Sequence, residues 1–184
     1  MNRLFIPIIL GTAREGRRSE HVARFMMKEA EKRALETTLV DVRDFLFGAT
    51  DDSEETDMAK RFSEIITRAD GLIIVSPEYN HGYPGELKLL LDSIYKQYAR
   101  KPVGICGVSD GSFAGVRMVE QSRLLAIEYH MVPISRSLYF PSVQDLFDES
   151  GTMKNPEAYQ ERLNKFFDEL LWYAEALTQA REKN

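Results

Sequence analysis

The chain has a single cysteine, Cys106, so it cannot close an internal disulfide, and a reducing cytoplasm is the expected setting. With only three histidines, dispersed along the sequence, no zinc-type ligand set is expected. No apolar run approaches the roughly 20 residues that would span a bilayer. The apolar stretch Ile6 to Leu10 is short, follows a lone Arg3 and lacks a small-x-small cleavage pattern, which favours a buried first strand over an export signal. A basic stripe is also missing. The net charge is −5 and acidic residues alternate with basic ones along the helical stretches, which argues against a nucleic-acid partner. The local exception is Arg14, Arg17 and Arg18. Neither Gly-x-x-x-x-Gly-Lys-Ser nor Gly-x-Gly-x-x-Gly occurs, so the usual nucleotide loops are excluded.

What is there is regular alternation. Leu4 to Leu10 reads as a strand buried on both faces, and Val22, Phe25, Met26 and Ala30 mark a helix. Thr37 to Val42 is a second strand, and acidic Asp51 to Asp57 a loop entering a helix carried by Met58, Phe62, Ile65, Ile66 and Ala69. Gly71 to Val75 is a third strand. Leu87, Leu90, Leu91, Ile94 and Tyr98 mark the next helix, Val103 to Val108 a fourth strand, and about Phe113 to His130 another helix. Met131 to Ile134 completes five strands before a long last helix bearing Tyr159, Leu163, Phe166, Phe167, Leu170, Ala174 and Leu177. This alternation predicts one α/β domain over residues 1–184, a parallel sheet with helices on both faces. Five strands in this length suit the flavodoxin-like order 2-1-3-4-5, in which ligands sit beyond the carboxyl ends of the strands. The loops after strands one, three and four are therefore the candidate site.

The first loop, Gly11 to Ser19, offers a helix N-terminus, the hydroxyls of Thr12 and Ser19, and Arg14 as a bidentate phosphate ligand. It reads equally as an ordinary turn capped by Ser19 with solvated arginines. The second, Ser76 to Gly85, is fixed by two prolines and two glycines and can border a flat ring with backbone donors. As composition alone, Tyr79, His81 and Tyr83 suit surface aromatics. The third, Ser109-Asp110-Gly111-Ser112-Phe113, is by itself a turn with Ser112 as cap.

Together, Pro77-Glu78-Tyr79-Asn80, Pro84-Gly85, Leu87-Lys88 with Asp92, and Gly11-Thr12-x-Arg14 resemble the signature of the NADPH-dependent FMN reductase family, which includes quinone, azo-dye and chromate reductases. The resemblance runs in order over nearly the whole chain. It implies a bound FMN that passes hydride from NADPH or NADH to a small-molecule acceptor (a quinone, azo compound, free flavin or metal oxyanion) by a ping-pong mechanism. No catalytic side chain is then required, although Tyr79 and His81 are near enough in sequence to invite a proton-donor role. It implies that Thr12, Arg14 and Ser19, with Arg17 helping, hold the FMN phosphate. Pro77, Glu78, Tyr79 and Asn80 would border the ring, and Ser109, Asp110 and Gly111 would close the far side. It further implies a homodimer or homotetramer. Two departures stand out. Ser19 is followed by Glu20 and His21 where shorter-loop relatives have Ser-x-Asn, which leaves the phosphate donors open, and Leu89-Leu90 replaces a common Asn-Ala. A flavodoxin-type electron carrier and a flavin- or redox-sensing binding protein are the competing functions.

Overall fold

A computed structural model describes residues 3–49 and 54–183. Its strands are β1 (Ile8–Leu10), β2 (Leu39–Asp41), β3 (Leu72–Pro77), β4 (Pro102–Val108) and β5 (Val132–Phe140). They pair in parallel in the order β2-β1-β3-β4-β5, the expected flavodoxin-like arrangement. The helices are α1 (Ser19–Lys32), α2 (Asp57–Arg68), α3 (Gly85–Asp92), α4 (Val116–Glu128), the single turn α5 (Val143–Leu146) and α6 (Glu157–Glu182). No helix among the described residues is long and apolar enough to cross a membrane.

The period-two geometry of a strand decides which helix packs where. Ile6, Ile8 and Leu10 point to one face, against Val22, Met26 and the Phe166–Phe167 pair of α1 and α6. Phe5 and Ile9 point to the other, against Phe62 of α2, Leu90 of α3 and Met118 of α4. A central strand buried on both sides must be apolar at every position, which is why Leu4 to Leu10 shows no alternation.

Several boundaries differ from expectation, each for a local reason. Asp51 to Ser53 of the expected acidic loop lie outside the described residues; α2 begins where the Thr56 side chain accepts from the Ala59 N–H at 3.1 Å. Helix α3 stops at Asp92, yet Ile94 and Tyr98 are buried beyond it. The Tyr98 ring folds back and its hydroxyl donates to the Leu91 carbonyl at 3.0 Å, so the apolar spacing continues while the helix does not. Helix α4 starts at Val116 because the preceding Gly115 has φ +79, and a Cβ there would meet the Val108 nitrogen at 2.9 Å.

The largest difference is β5, which runs to Phe140. Its register jumps from Val103↔Pro133 to Ile105↔Ser137, so Ile134, Ser135 and Arg136 bulge opposite Gly104. Arg123 of α4 donates to the Ile134 carbonyl at 2.6 Å and the Ser135 carbonyl at 2.9 Å. From the other face, Glu169 of α6 accepts the N–H groups of Ser135 at 2.9 Å and Arg136 at 3.0 Å. The polar Ser-Arg-Ser run that looks like a strand end is thus a bulge with its backbone groups paired from both sides.

Gly104 is bare opposite this bulge because the Phe166 ring occupies the space a Cβ would fill. Gly104→Ala is therefore expected to destabilise by about 1–3 kcal/mol through overpacking. Urea unfolding would show a lower midpoint with an unchanged slope; an unaltered midpoint would mean that α6 yields freely.

Candidate functional site

The carboxyl ends of β1, β3 and β4 open onto a cavity of about 490 Å³. The first loop supplies Arg14, Arg17 and Ser19, the second Pro77, Glu78 and Tyr79, and the third Ser109, Asp110 and Gly111. Thr12 and Asn80, also named from sequence, are not among its lining residues. A separate cavity of about 400 Å³ lies between α3 and α4 beside Lys88, Asp92, Tyr95 and Tyr129. Its polar groups are spent on each other, since Lys88 and Tyr129 both donate to Asp92. The carboxyl-end cavity is therefore the better candidate.

The first loop contains two kinds of arginine. Arg17 is buried, and all five of its N–H donors are engaged: by Asp41, by Glu20, and by the Thr12 carbonyl at 2.6 Å. The guanidinium has none left for a ligand and instead holds the loop. Arg14 is exposed, with its guanidinium 5.8 Å from the centre of the Tyr79 ring. Ser19, the first residue of α1, is buried, and its hydroxyl is the one buried side-chain polar atom without a partner among the described residues. No side chain caps α1. The backbone N–H groups of Gly16, Arg17, Arg18 and Ser19 meet no acceptor among the described residues, and Gly16 takes φ +67. A run of unsatisfied N–H groups ending on a helix N-terminus is an anion cradle.

Thr12 faces the second loop. Its Oγ1 is 2.9 Å from the Tyr79 hydroxyl and donates to Glu86 at 3.0 Å, and Glu86 also accepts the Ala13 N–H at 2.9 Å. Thr12 thus ties loop one to loop two and to α3.

Ser76 and Pro77, expected in the loop, close β3 opposite Gly107 and Val108. Pro77 lacks an N–H, and the next donor, on Glu78, reaches the Val108 carbonyl at 3.1 Å. The Glu78 carboxylate turns to the N-terminus of α4, taking the Arg117 N–H at 3.1 Å and the Arg117 guanidinium at 2.8 Å. Burial alone would raise its pKa, but these bonds and the Met118 N–H hold it below the usual carboxylate range. Tyr79 and Gly82 exchange backbone hydrogen bonds of 2.9 and 3.0 Å around Asn80 and His81, both at positive φ. This is a two-residue hairpin turn of the type asparagine favours. Gln121 donates to the His81 carbonyl at 2.9 Å, and the His81 ring is exposed.

In the third loop the Ser109 hydroxyl donates to the Gly111 carbonyl at 2.7 Å, shaping the turn. Asp110 faces Arg18 across 3.6 Å; both are exposed, so the pair is weak. A fourth contributor is missing from the sequence-based set. Val143, just past β5, lines the cavity and its N–H reaches the Ser109 carbonyl at 3.1 Å. Only the true length of β5, whose Phe140 pairs with Val108, would have pointed to it. No group of His, Cys, Asp or Glu among the described residues could hold a metal ion, and burial pushes the Cys106 thiol far up.

Known proteins resemble this chain in sequence and in fold. The NADH:(hydroxy)cinnamate reductase subunit CrdA of Vibrio ruber is 30% identical over 92% of this chain and 87% of its own. A quinone reductase of Pseudomonas putida is 28% identical, covering 82% of this chain and 84% of its own. In fold, the chain is similar to FerB, a flavoenzyme NAD(P)H:(acceptor) oxidoreductase of Paracoccus denitrificans, with TM-score 0.78 at 20% identity over 94% of this chain and 98% of that one. The NADPH-dependent FMN reductase family profile matches residues 5–145. By that match, spread across the sheet and all three cavity loops, the chain belongs to the NADPH-dependent FMN reductase family.

Proposed function

We propose that the carboxyl-end cavity holds FMN with its phosphate on the first loop, and that reduced nicotinamide and an oxidant take turns at the open face in a ping-pong cycle. The observation that carries this is the Ser19 hydroxyl, buried without a partner at the uncapped start of α1. A buried hydroxyl in that state costs free energy unless a ligand completes it. The neighbouring N–H groups of residues 16 to 19 suit the same anion, and Arg14 adds a nearby positive charge. Pro77, Glu78, Tyr79 and Asn80 would border the ring mainly through their backbone, because the Glu78 carboxylate is spent on Arg117 and the Tyr79 hydroxyl on Thr12. Ser109, Asp110 and Gly111 would close the opposite edge. When bound, FMN supplies the two-electron chemistry of the reaction.

The protein's part is binding, orientation and access. Glu78 stays ionised and paired, and the His81 ring does not line the cavity, so neither is assigned a proton to move. Arg18 at the rim, only weakly held by Asp110, suits the phosphates of the nicotinamide donor. The relatives' names point to quinones and to an aromatic acid as acceptors. A pocket open on one side tolerates several flat oxidants. The single buried cysteine and absence of disulfides suit a cytoplasmic enzyme.

A homodimer is part of the same proposal. Val116, Leu124 and Ile127 are exposed at 42, 71 and 60% and fall with Glu120 on one stripe of α4, and Phe113, exposed at 66%, lies in the turn before it. Such a seam is self-complementary about a two-fold axis. Tyr95 and Trp172 are exposed as well, whereas Tyr98 is buried.

With FMN-loaded protein, menadione should support NADPH or NADH oxidation, and double-reciprocal plots at several menadione concentrations should be parallel. No turnover with menadione or an azo dye would leave an electron carrier, and intersecting lines would exclude ping-pong order. Ser19→Ala should weaken FMN binding roughly tenfold or more, because a hydrogen bond to a charged group is lost, at about 1.5–3 kcal/mol. The apo-protein's melting temperature should hold or rise, since the hydroxyl has no partner to lose. Leu124→Glu should shift the sedimentation coefficient from dimer to monomer while the far-UV spectrum stays the same; a wild type that is monomeric at micromolar concentration contradicts the dimer.

A further inference from the structure

We propose that the side chains of Arg17, Asp41 and Arg43 form a positioning clamp on the first loop that makes it selective for phosphorylated over unphosphorylated flavin. The inference rests on the FMN assignment above and adds side chains whose part is to hold the loop in position. Three successive carbonyls of the loop are held by this clamp. Arg17 donates to the Thr12 carbonyl at 2.6 Å, and Arg43 donates through Nε to that of Ala13 at 3.1 Å and through its terminal nitrogen to that of Arg14 at 2.5 Å. One carboxylate orients both arginines. Asp41 takes two bonds from the Arg17 guanidinium, one at 2.7 Å, and accepts the Arg43 backbone N–H at 2.9 Å.

The placement follows from the sheet. Asp41 is the last residue of β2 and pairs in register with Leu10, the last of β1, so it stands beside the start of the loop. Carbonyl oxygens turned into the cavity would repel an anion. Held on arginines, they point their negative ends at the clamp, and the N–H groups of Gly16 to Ser19 remain for the ligand. Burial alone would raise the Asp41 carboxyl, but Arg17 and the Arg43 N–H hold it below its usual range, so the clamp stays charged across the neutral region.

A clamp that only stabilised the fold would affect all ligands alike. Fluorescence titrations with FMN and with riboflavin separate the cases. Arg43 is exposed, and its replacement leaves the partly buried Arg17–Asp41 pair in place, so Arg43→Ala should remain folded. It should weaken FMN about tenfold, the equivalent of roughly 1.4 kcal/mol, and leave riboflavin within about twofold. Arg43→Lys keeps the charge without the two-carbonyl fork, and should resemble Arg43→Ala. Asp41→Asn should lower the FMN-to-riboflavin affinity ratio in the same direction. Equal losses for both ligands, no loss for either, or wild-type FMN affinity in Arg43→Lys would overturn the clamp. Wild-type protein that binds no FMN would instead sink the cofactor assignment. Inorganic phosphate then tests the clamp alone: amide shifts at residues 16 to 19 in ¹⁵N spectra should be present in wild type and lost in Arg43→Ala, and their persistence there would overturn it.

Discussion

The register of one three-residue strand carries the site. β1 lies between β2 and β3, with Leu10 opposite Asp41 on one side and Val75 on the other. The chain leaves β1 at Gly11, whose N–H still reaches the Val75 carbonyl at 2.9 Å. A Cβ on Gly11 would meet the Ser76 hydroxyl at 2.9 Å, so the first loop departs in contact with the end of β3. A slip of one residue would exchange the faces of Ile8 and Ile9. Because both faces are buried, the slip is opposed less by polarity than by shape, with Phe166 and Phe167 on one side and Phe62 on the other. Packing therefore fixes where Asp41, Thr12 and Ser76 stand.

Polar contacts then make the loops rigid. Thr12 and Tyr79 link the first two loops, Glu86 holds the first to α3, and Glu78 fastens the second to α4. Several are hydrogen bonds to a charged group in partly buried surroundings, where each is worth roughly twice a neutral bond. The depressed Glu78 and Asp41 carboxyls give the same information as linkage. A carboxyl whose folded pKa lies below its unfolded value, about 4, adds stability above that value. That stability is lost as pH falls through the folded pKa. Both loops are thus held at neutral pH and loosen only in acid.

The fold was legible in the residues because it rests on runs of apolar side chains. The parallel sheet, helix faces and the three candidate loops follow from Leu4–Leu10, Val103–Val108 and the helical spacing of Phe62, Leu90 and Phe166, while the strand order comes with the flavodoxin-like architecture that five strands suit. What escaped depends on partners distant in sequence. Ser135-Arg136-Ser137 reads as polar loop until Arg123 and Glu169 supply its backbone bonds. Val143 enters the cavity only because that bulge lets β5 continue to Phe140. Arg14 and Arg17, three positions apart in one loop, read as a phosphate ligand and its helper. Asp41, on another strand, is what separates an exposed arginine from a buried one with every donor engaged.

The two ends of the cavity place different demands on a ligand. At the first loop, a buried hydroxyl and consecutive N–H groups wait for acceptors, and a ligand lacking them leaves those groups unsatisfied. Sites of that kind discriminate strongly, because the penalty falls on the wrong ligand. The open side offers rim charges such as Arg18 and Asp110, both exposed and weakly coupled. Solvent screens such groups, so they favour one guest over another only slightly. The proposed placing of the cofactor phosphate on the first loop and of the acceptor at the exposed face rests on where the polar groups are buried.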